Sequence, residues 1–292
     1  MKNAMKFLSI SIATLITVLM SNTVFAQFTP NQALAADSFP FPGRAEDLPP
    51  GHYWFLQHEH SSGNKSQSLG YDLGAGVRFD VAQQKWVGTK PGASGDSCAS
   101  APKNSDCIIY GIPVYAIADG EVLSCWRNAP ENPAPGKKRD DIGDWNKPGV
   151  EKGVPGGGNL LKVDQGNGQI VLYAHFIPGS VPKSLCPVDD EFQTPAQTGV
   201  LPPGNRPKVK KGQKIGAVGN SGSSSRPHLH IHMEGKAGEP LPLRFHSAWI
   251  KSTNKDEDST TDWVQLKGEA LSNPPIAILP NYSTGLSRSI KK

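Results

Sequence analysis

Residues 226–233 read RPHLHIHM. Three histidines, His228, His230 and His232, stand at every second position of this stretch. On a β-strand, side chains two apart point to the same face. Read as a strand, the stretch therefore lines one surface with three imidazoles. Neutral imidazole is a metal ligand and also a proton carrier near neutral pH. Three in a row, in a chain with eight histidines, point to a functional surface rather than to polar decoration of a wet face.

The neighbouring segments read the same way. VKKGQKIGAVGNSG (209–222) gives a short strand that ends in a Gly/Ser loop and leads into the histidine strand. NLLKVDQGNGQIVLYAHF (159–176) reads as a hairpin around GNG, with Val171, Tyr173 and His175 sharing a face of its second strand. GIPVYAIADGEVLSCW (111–126) places two β-prone runs around Asp119-Gly120, which predicts a tight primed hairpin turn. YWFLQHEHSSGNKSQSLGYDLGA (53–75) predicts two short strands around a polar loop, and RFHSAWI (244–250) one more strand. Residues 80–108 are a polar excursion and 127–157 a long, charged, Pro/Gly-rich surface insertion. Residues 273–292 read as a tail that packs a few apolar side chains. With 31 glycines and 26 prolines and few helical patterns, the chain reads as mainly β. The expected architecture is an antiparallel β-sheet or sandwich domain with an open groove and long loop insertions.

The N-terminus sets the compartment. Lys2 and Lys6 precede an apolar run from Phe7 to Met20, and Val24 and Ala26 are the small residues before a cut at Gln27. This is the pattern of a secretory signal peptide, too short and too cleavable for a membrane anchor. No later segment is long and apolar enough to cross a bilayer, so the expectation is an exported protein, periplasmic or secreted. Its loss takes two lysines from a formal net charge of +4 and leaves a mildly basic chain. No basic run is interleaved with aromatics, which argues against nucleic acid as a partner. Four cysteines, Cys98, Cys107, Cys125 and Cys186, form an even set for an oxidising compartment. Three pairings are possible, of which Cys98–Cys107 and Cys125–Cys186 are preferred. No C-x-x-C spacing supports a cysteine-bound zinc.

Two common hydrolase signatures are absent. His58-Glu59 begins H-E-x-x-H, but the fifth position is Ser62. GNSGS places Ser223 where G-x-S-x-G requires glycine. A hydrolytic zinc site needs three protein ligands and an open position, so here it must be assembled from separate strands.

GIPVYAIADGEV, NLLKVDQGNGQIVLYAHF and VKKGQKIGAVGNSGSSSRPHLHIHM together resemble, in the same order, three blocks of the lysostaphin and β-lytic (LasA-type) family of zinc metalloendopeptidases. Those enzymes cleave peptides within bacterial peptidoglycan. The resemblance runs from about Tyr53 to Met233. With the signal pattern at 1–26 and a Pro-rich leader at 27–52, it implies a zinc peptidase domain at 53–237, followed by a C-terminal extension at 238–292.

Carried over by motif, the second histidine of H-x-H, His230, is a zinc ligand, and the first, His228, is catalytic. The histidine of YAH, His175, is the other catalytic one, and the aspartate of GYDL, Asp72, is a ligand. The third ligand departs from the lysostaphin pattern, whose H-x-G-x-D would put it at Ser68. In the β-lytic branch it comes from further upstream, where QHEHSSG stands in this chain. His60 aligns best there and His58 second. His232 reads as a residue behind the ligands or in the wall of the site, with direct ligation the lesser alternative, and Glu234 as solvated or able to orient a ligand. The resemblance thus implies one Zn²⁺ held by His60, Asp72 and His230, with His175 and His228 handling the proton of a water that attacks a wall peptide. Ser68 keeps one rival in view, a non-catalytic relative that binds wall peptide or regulates an amidase; a second rival is a secreted carbohydrate-binding or adhesive β-domain.

Overall fold

Alternation shapes the central strands. In NLLKVD, Leu161 and Val163 are buried in the core while Leu160, Lys162 and Asp164 are not. In HLHIHMEG every residue is buried, which requires cover on both faces of that strand. A computed structural model of the chain describes residues 37–60, 65–74, 76–140, 155–187, 200–253, 263–272 and 276–284. The segment expected to be a signal peptide, the middle of the 127–157 insertion and the last residues of the tail lie outside them.

Among the described residues the chain is mainly β. Its strands are β1 (Phe39–Pro40), β2 (His52–Glu59), β3 (Tyr71–Gly74), β4 (Val77–Asp80), β5 (Lys85–Val87), β6 (Pro113–Tyr115), β7 (Gly120–Trp126) and β8 (Asn159–Asp164). They continue with β9 (Gln169–Phe176), β10 (Lys208–Val209), β11 (Lys214–Ala217), β12 (His228–Gly235), β13 (Pro240–Leu241), β14 (Arg244–Ser252), β15 (Val264–Ala270) and β16 (Ile276–Pro280). The main sheet runs β1-β14-β16-β2-β3-β12-β9-β8-β7-β10, with β13, β15, β4 and β5 attached at its sides. β1 lies parallel to β14, and the other strand pairs in this sheet are antiparallel. β6 and β11 form a separate two-stranded ribbon.

The core joins the apolar face of the main sheet to this ribbon. Leu73, Leu229, Ile231, Val171, Tyr173 and Leu161 cluster with Val114, Ile117 and Ile215. Each fully buried aliphatic side chain here stabilises the fold by about 1.5–3 kcal/mol. The buried hydroxyl of Tyr173 accepts the Ile117 N–H, at 3.0 Å, and so gives that buried backbone donor a partner. Cys98 pairs with Cys107 and Cys125 with Cys186, the preferred pairing.

Three expectations change. Asp119-Gly120 does not turn a hairpin: β6 pairs with β11, and β7 with β8 and β10. A primed turn needs positive φ at its central residues, and Gly120 is not among the residues with positive φ. Its glycine serves close approach instead, since a Cβ there would lie 2.5 Å from the Asp164 carbonyl oxygen. Asp119 accepts the Lys211 N–H at 2.8 Å. The 127–157 segment is not wholly surface, because Ala129, Asn132 and Ala134 are buried. The tail is also more than packing: β16 lies in the main sheet between β14 and β2.

Candidate metal centre

The three histidines of β12 share one face, opposite Leu229, Ile231 and Met233 of the core. β3 lies beside them with His230 in register with Asp72 and His228 with Gly74. A Cβ at Gly74 would fall 2.1 Å from the Cβ of His228, and one at Gly70 would fall 2.8 Å from that of His232. The two glycines flanking Asp72 therefore leave a single side chain, the carboxylate, to meet a row of imidazoles. This signal was readable in GYDLG, at two residues either side of the aspartate.

His60 follows directly on β2, its N–H bonded to the Gly70 carbonyl at 2.9 Å. Its Nε2 lies 3.0 Å from Asp72 Oδ1, and His230 Nδ1 lies 2.9 Å from the same oxygen. One donor atom from each of His60, Asp72 and His230 falls within 4.8 Å of the others. Two imidazole nitrogens and a carboxylate oxygen are a donor set that zinc takes, with bonds of about 2.0–2.2 Å that space tetrahedral donors roughly 3.3 Å apart. The donor set and its spacing fit that ion. His58 stands in backbone register with Asp72, and its side chain lies outside the described residues.

His175 reaches the same face by an irregularity. Period-2 alternation put it with Val171 and Tyr173, but those two are in the core and His175 is not. Ala174 and His175 both stand opposite Leu160, a β-bulge in the β8–β9 pairing. His175 takes φ 69°, the left-handed region, which reverses its direction and sends Phe176 into the core instead. Histidine is among the residues that tolerate this region better than most, and such strain gathers at functional sites. The ring centroid of His175 then lies 4.5 Å from that of His228.

Backbone carbonyls fix the proton of both rings. His175 Nδ1 donates to the Ser221 carbonyl at 2.7 Å, and His228 Nδ1 to the Arg226 carbonyl at 2.8 Å. A carbonyl only accepts, so each neutral ring keeps its Nε2 lone pair. His228 Nε2 is 3.4 Å from Asp72 Oδ1, beside the donor cluster. Burial, and then the nearness of His228 and His230, holds His175 well below the usual imidazole range, so it is neutral at pH 7. Burial also lowers His230. Burial alone would raise Asp72, but the imidazoles of His228, His230 and His60 around it outweigh that and keep the carboxylate ionised. The Asp72 hydrogen bond raises His60 against its partial burial.

The Gly219–Ser221 loop joins the two rings. Gly219 donates to the His175 carbonyl at 3.0 Å and accepts from the His228 N–H. The excursion and the insertion brace this loop. Asn220 donates to Asn104, Asn104 to the Asn132 carbonyl, and Asn132 to the carbonyls of Gly222 and Ser224. Glu131 accepts from the Asn220 N–H and from the Tyr110 hydroxyl. Sequence reasoning gave these residues no role, since lone asparagines in polar loops carry no periodic signal. His246 bonds Ser38 and His52 sits near the Pro50 carbonyl, both away from this cluster.

No protein-family model matches the chain, and no curated protein matches it. Solved structures do. The chain is similar to a zinc-containing peptidase from Vibrio cholerae, at 16% identity and a TM-score of 0.32, covering 71% of this chain and 44% of that one. It is similar to the catalytic domain of the antimicrobial peptidase lysostaphin from Staphylococcus simulans, at 20% identity and a TM-score of 0.22, covering 46% and 71%. Helicobacter pylori Csd3 matches at 20% identity and a TM-score of 0.23, covering 46% of this chain and 23% of that one. The chain thus spans less than half the length of the Vibrio and Helicobacter proteins. At these identities and scores no residue role passes from those proteins to this chain.

Proposed function

We propose that this protein is an exported zinc endopeptidase that hydrolyses peptide bonds in the cross-links of bacterial peptidoglycan. The observation that carries the reading is the convergence of His60, Asp72 and His230 beside two histidines whose protons are pinned by backbone carbonyls. The motif order of the three sequence blocks supports the substrate class, and the N-terminal signal pattern supports export. In this reading His60, Asp72 and His230 hold the metal. Zinc, when bound, supplies a Lewis acid that polarises a carbonyl and acidifies water towards a pKa of about 7.

The chain's own residues do the rest. His175 and His228 present Nε2 as the proton-accepting atom, because Nδ1 of each is committed to a carbonyl. A proton taken at one Nε2 is available to the leaving amine, and an imidazolium there stabilises a neighbouring oxyanion. The left-handed backbone of His175 and the braced Gly219–Ser221 loop hold the two rings together, 4.5 Å between centroids. Asn104 of the excursion and Asn132 of the insertion hold that loop in place.

The test is a digest of purified peptidoglycan by the mature protein, with mass analysis of the products. The expected result is new termini within the cross-link peptides, lost on chelation and restored by zinc. Zinc-loaded protein that binds the wall without releasing any peptide would overturn the enzyme reading and favour the wall-binding one.

A further inference from the structure

His232 and Glu234 lie on the histidine face of β12 beyond the donor cluster, and both are buried. His230 Nε2 is 2.8 Å from His232 Nδ1. His232 Nε2 is 3.6 Å from Glu234 Oε2, and the other carboxylate oxygen of Glu234 pairs with the ammonium of Lys162 on β8. Five groups form a line from Asp72 to Lys162: carboxylate, imidazole, imidazole, carboxylate, ammonium.

The line has two proton arrangements. One hydrogen bond joins the two rings, so one ring must donate and the other accept. If His230 carries its proton on Nδ1, it donates to Asp72, and its Nε2 accepts from His232 Nδ1. His232 then turns a lone pair towards the Glu234 carboxylate. If His230 carries its proton on Nε2, it donates to His232, and His232 carries its own proton on Nε2, 3.6 Å from the Glu234 carboxylate. Only the second arrangement leaves a lone pair on His230 Nδ1, the nitrogen that faces Asp72 and His60. A carboxylate stands at each end, and the two prefer opposite arrangements.

Resting on the zinc reading above, we propose that His232 and Glu234 are positioning residues that hold His230 in the tautomer able to ligate metal, with Lys162 anchoring Glu234. A ligating histidine needs its other nitrogen to donate to a fixed acceptor, and loss of such a partner costs about 10–100-fold in metal affinity. Here that acceptor is a second imidazole, itself set by a buried carboxylate. This gives work to the one histidine of the HLHIH row that the motif comparison left unassigned.

The experiment measures zinc affinity of the metal-free mature protein by competition with a chromophoric chelator, alongside thermal melting of the same metal-free samples. The variants are His232→Gln, His232→Leu, Glu234→Gln and the double His232→Leu/Glu234→Gln. Gln can still accept from His230 Nε2–H, and Leu cannot. The expected result is a loss of about 10–100-fold in zinc affinity for His232→Leu, and a smaller loss for His232→Gln. Glu234→Gln should weaken zinc in the wild-type background but not in the His232→Leu background, since the carboxylate acts through the ring. A general packing role would instead lower the melting point and the zinc affinity together, with the two substitutions additive. Zinc affinity equal to wild type in His232→Leu, or additive losses in the double variant, would overturn the positioning role and leave the zinc reading standing. Wild-type protein that takes up no zinc would overturn both.

Discussion

On one face of β12, Leu229, Ile231 and Met233 are at most 2% exposed; on the other, His228, His230, His232 and Glu234 are 4–6% exposed. Burial is nearly equal, yet the two faces are held by different physics. The apolar face gains from area removed from water, and its contacts have no preferred direction. The histidine face gains nothing from burial alone, because each buried polar atom must find a partner. Its partners are placed one by one: Asp72 for His230, the Arg226 carbonyl for His228, the Ser221 carbonyl for His175, and Glu234 beyond His232. In the proposed reading, a side chain on the first face answers for stability, and one on the second for chemistry.

Substitutions separate the two. The largest effect falls on the ligand cluster: His230→Ala should abolish zinc retention and wall lysis together, read by metal analysis and a turbidity assay. His175→Ala and His228→Ala should lose turnover by about 10²–10⁴-fold. Both should keep zinc, so retained metal with lost lysis is the signature of a proton-handling role. On the opposite face, Ile231→Ala should cost about 2–5 kcal/mol in denaturant unfolding while the protein that remains folded still binds zinc. Loss of zinc from folded Ile231→Ala would show that the faces are not separable.

Smaller effects test how the faces were kept apart. Gly74→Ala puts a Cβ within 2.1 Å of that of His228, so β3 or β12 must shift. Turnover should fall while zinc, held further along at His230, is retained. The smallest effect concerns the bulge. His175→Gly and His175→Ala should both be inactive, but the glycine variant should be the more stable by about 1 kcal/mol, because alanine carries the left-handed backbone at a cost. Equal stability would place the origin of the 69° φ elsewhere than in local strain.

Much of this was legible in the sequence where the signal is local. The alternation of HLHIHM, the turn residues between β8 and β9, and the polar loop between β2 and β3 each act over a few residues. What failed was set by partners distant in the chain. The face of His175 depends on a bulge opposite Leu160, which no count along YAH can show. Gly120 looked like a turn glycine and proved to be a contact with Asp164. The asparagines that brace the Gly219–Ser221 loop meet only once the disulfide-closed excursion and the insertion are folded over it.

The zinc content of purified mature protein, wild type beside His60→Ala, tests the central claim most directly. The account predicts about one zinc per wild-type chain after dialysis, and loss of that metal in a His60→Ala protein that melts as the metal-free wild type does. Wild-type protein without zinc, or His60→Ala that retains it at equal stoichiometry, would contradict the account.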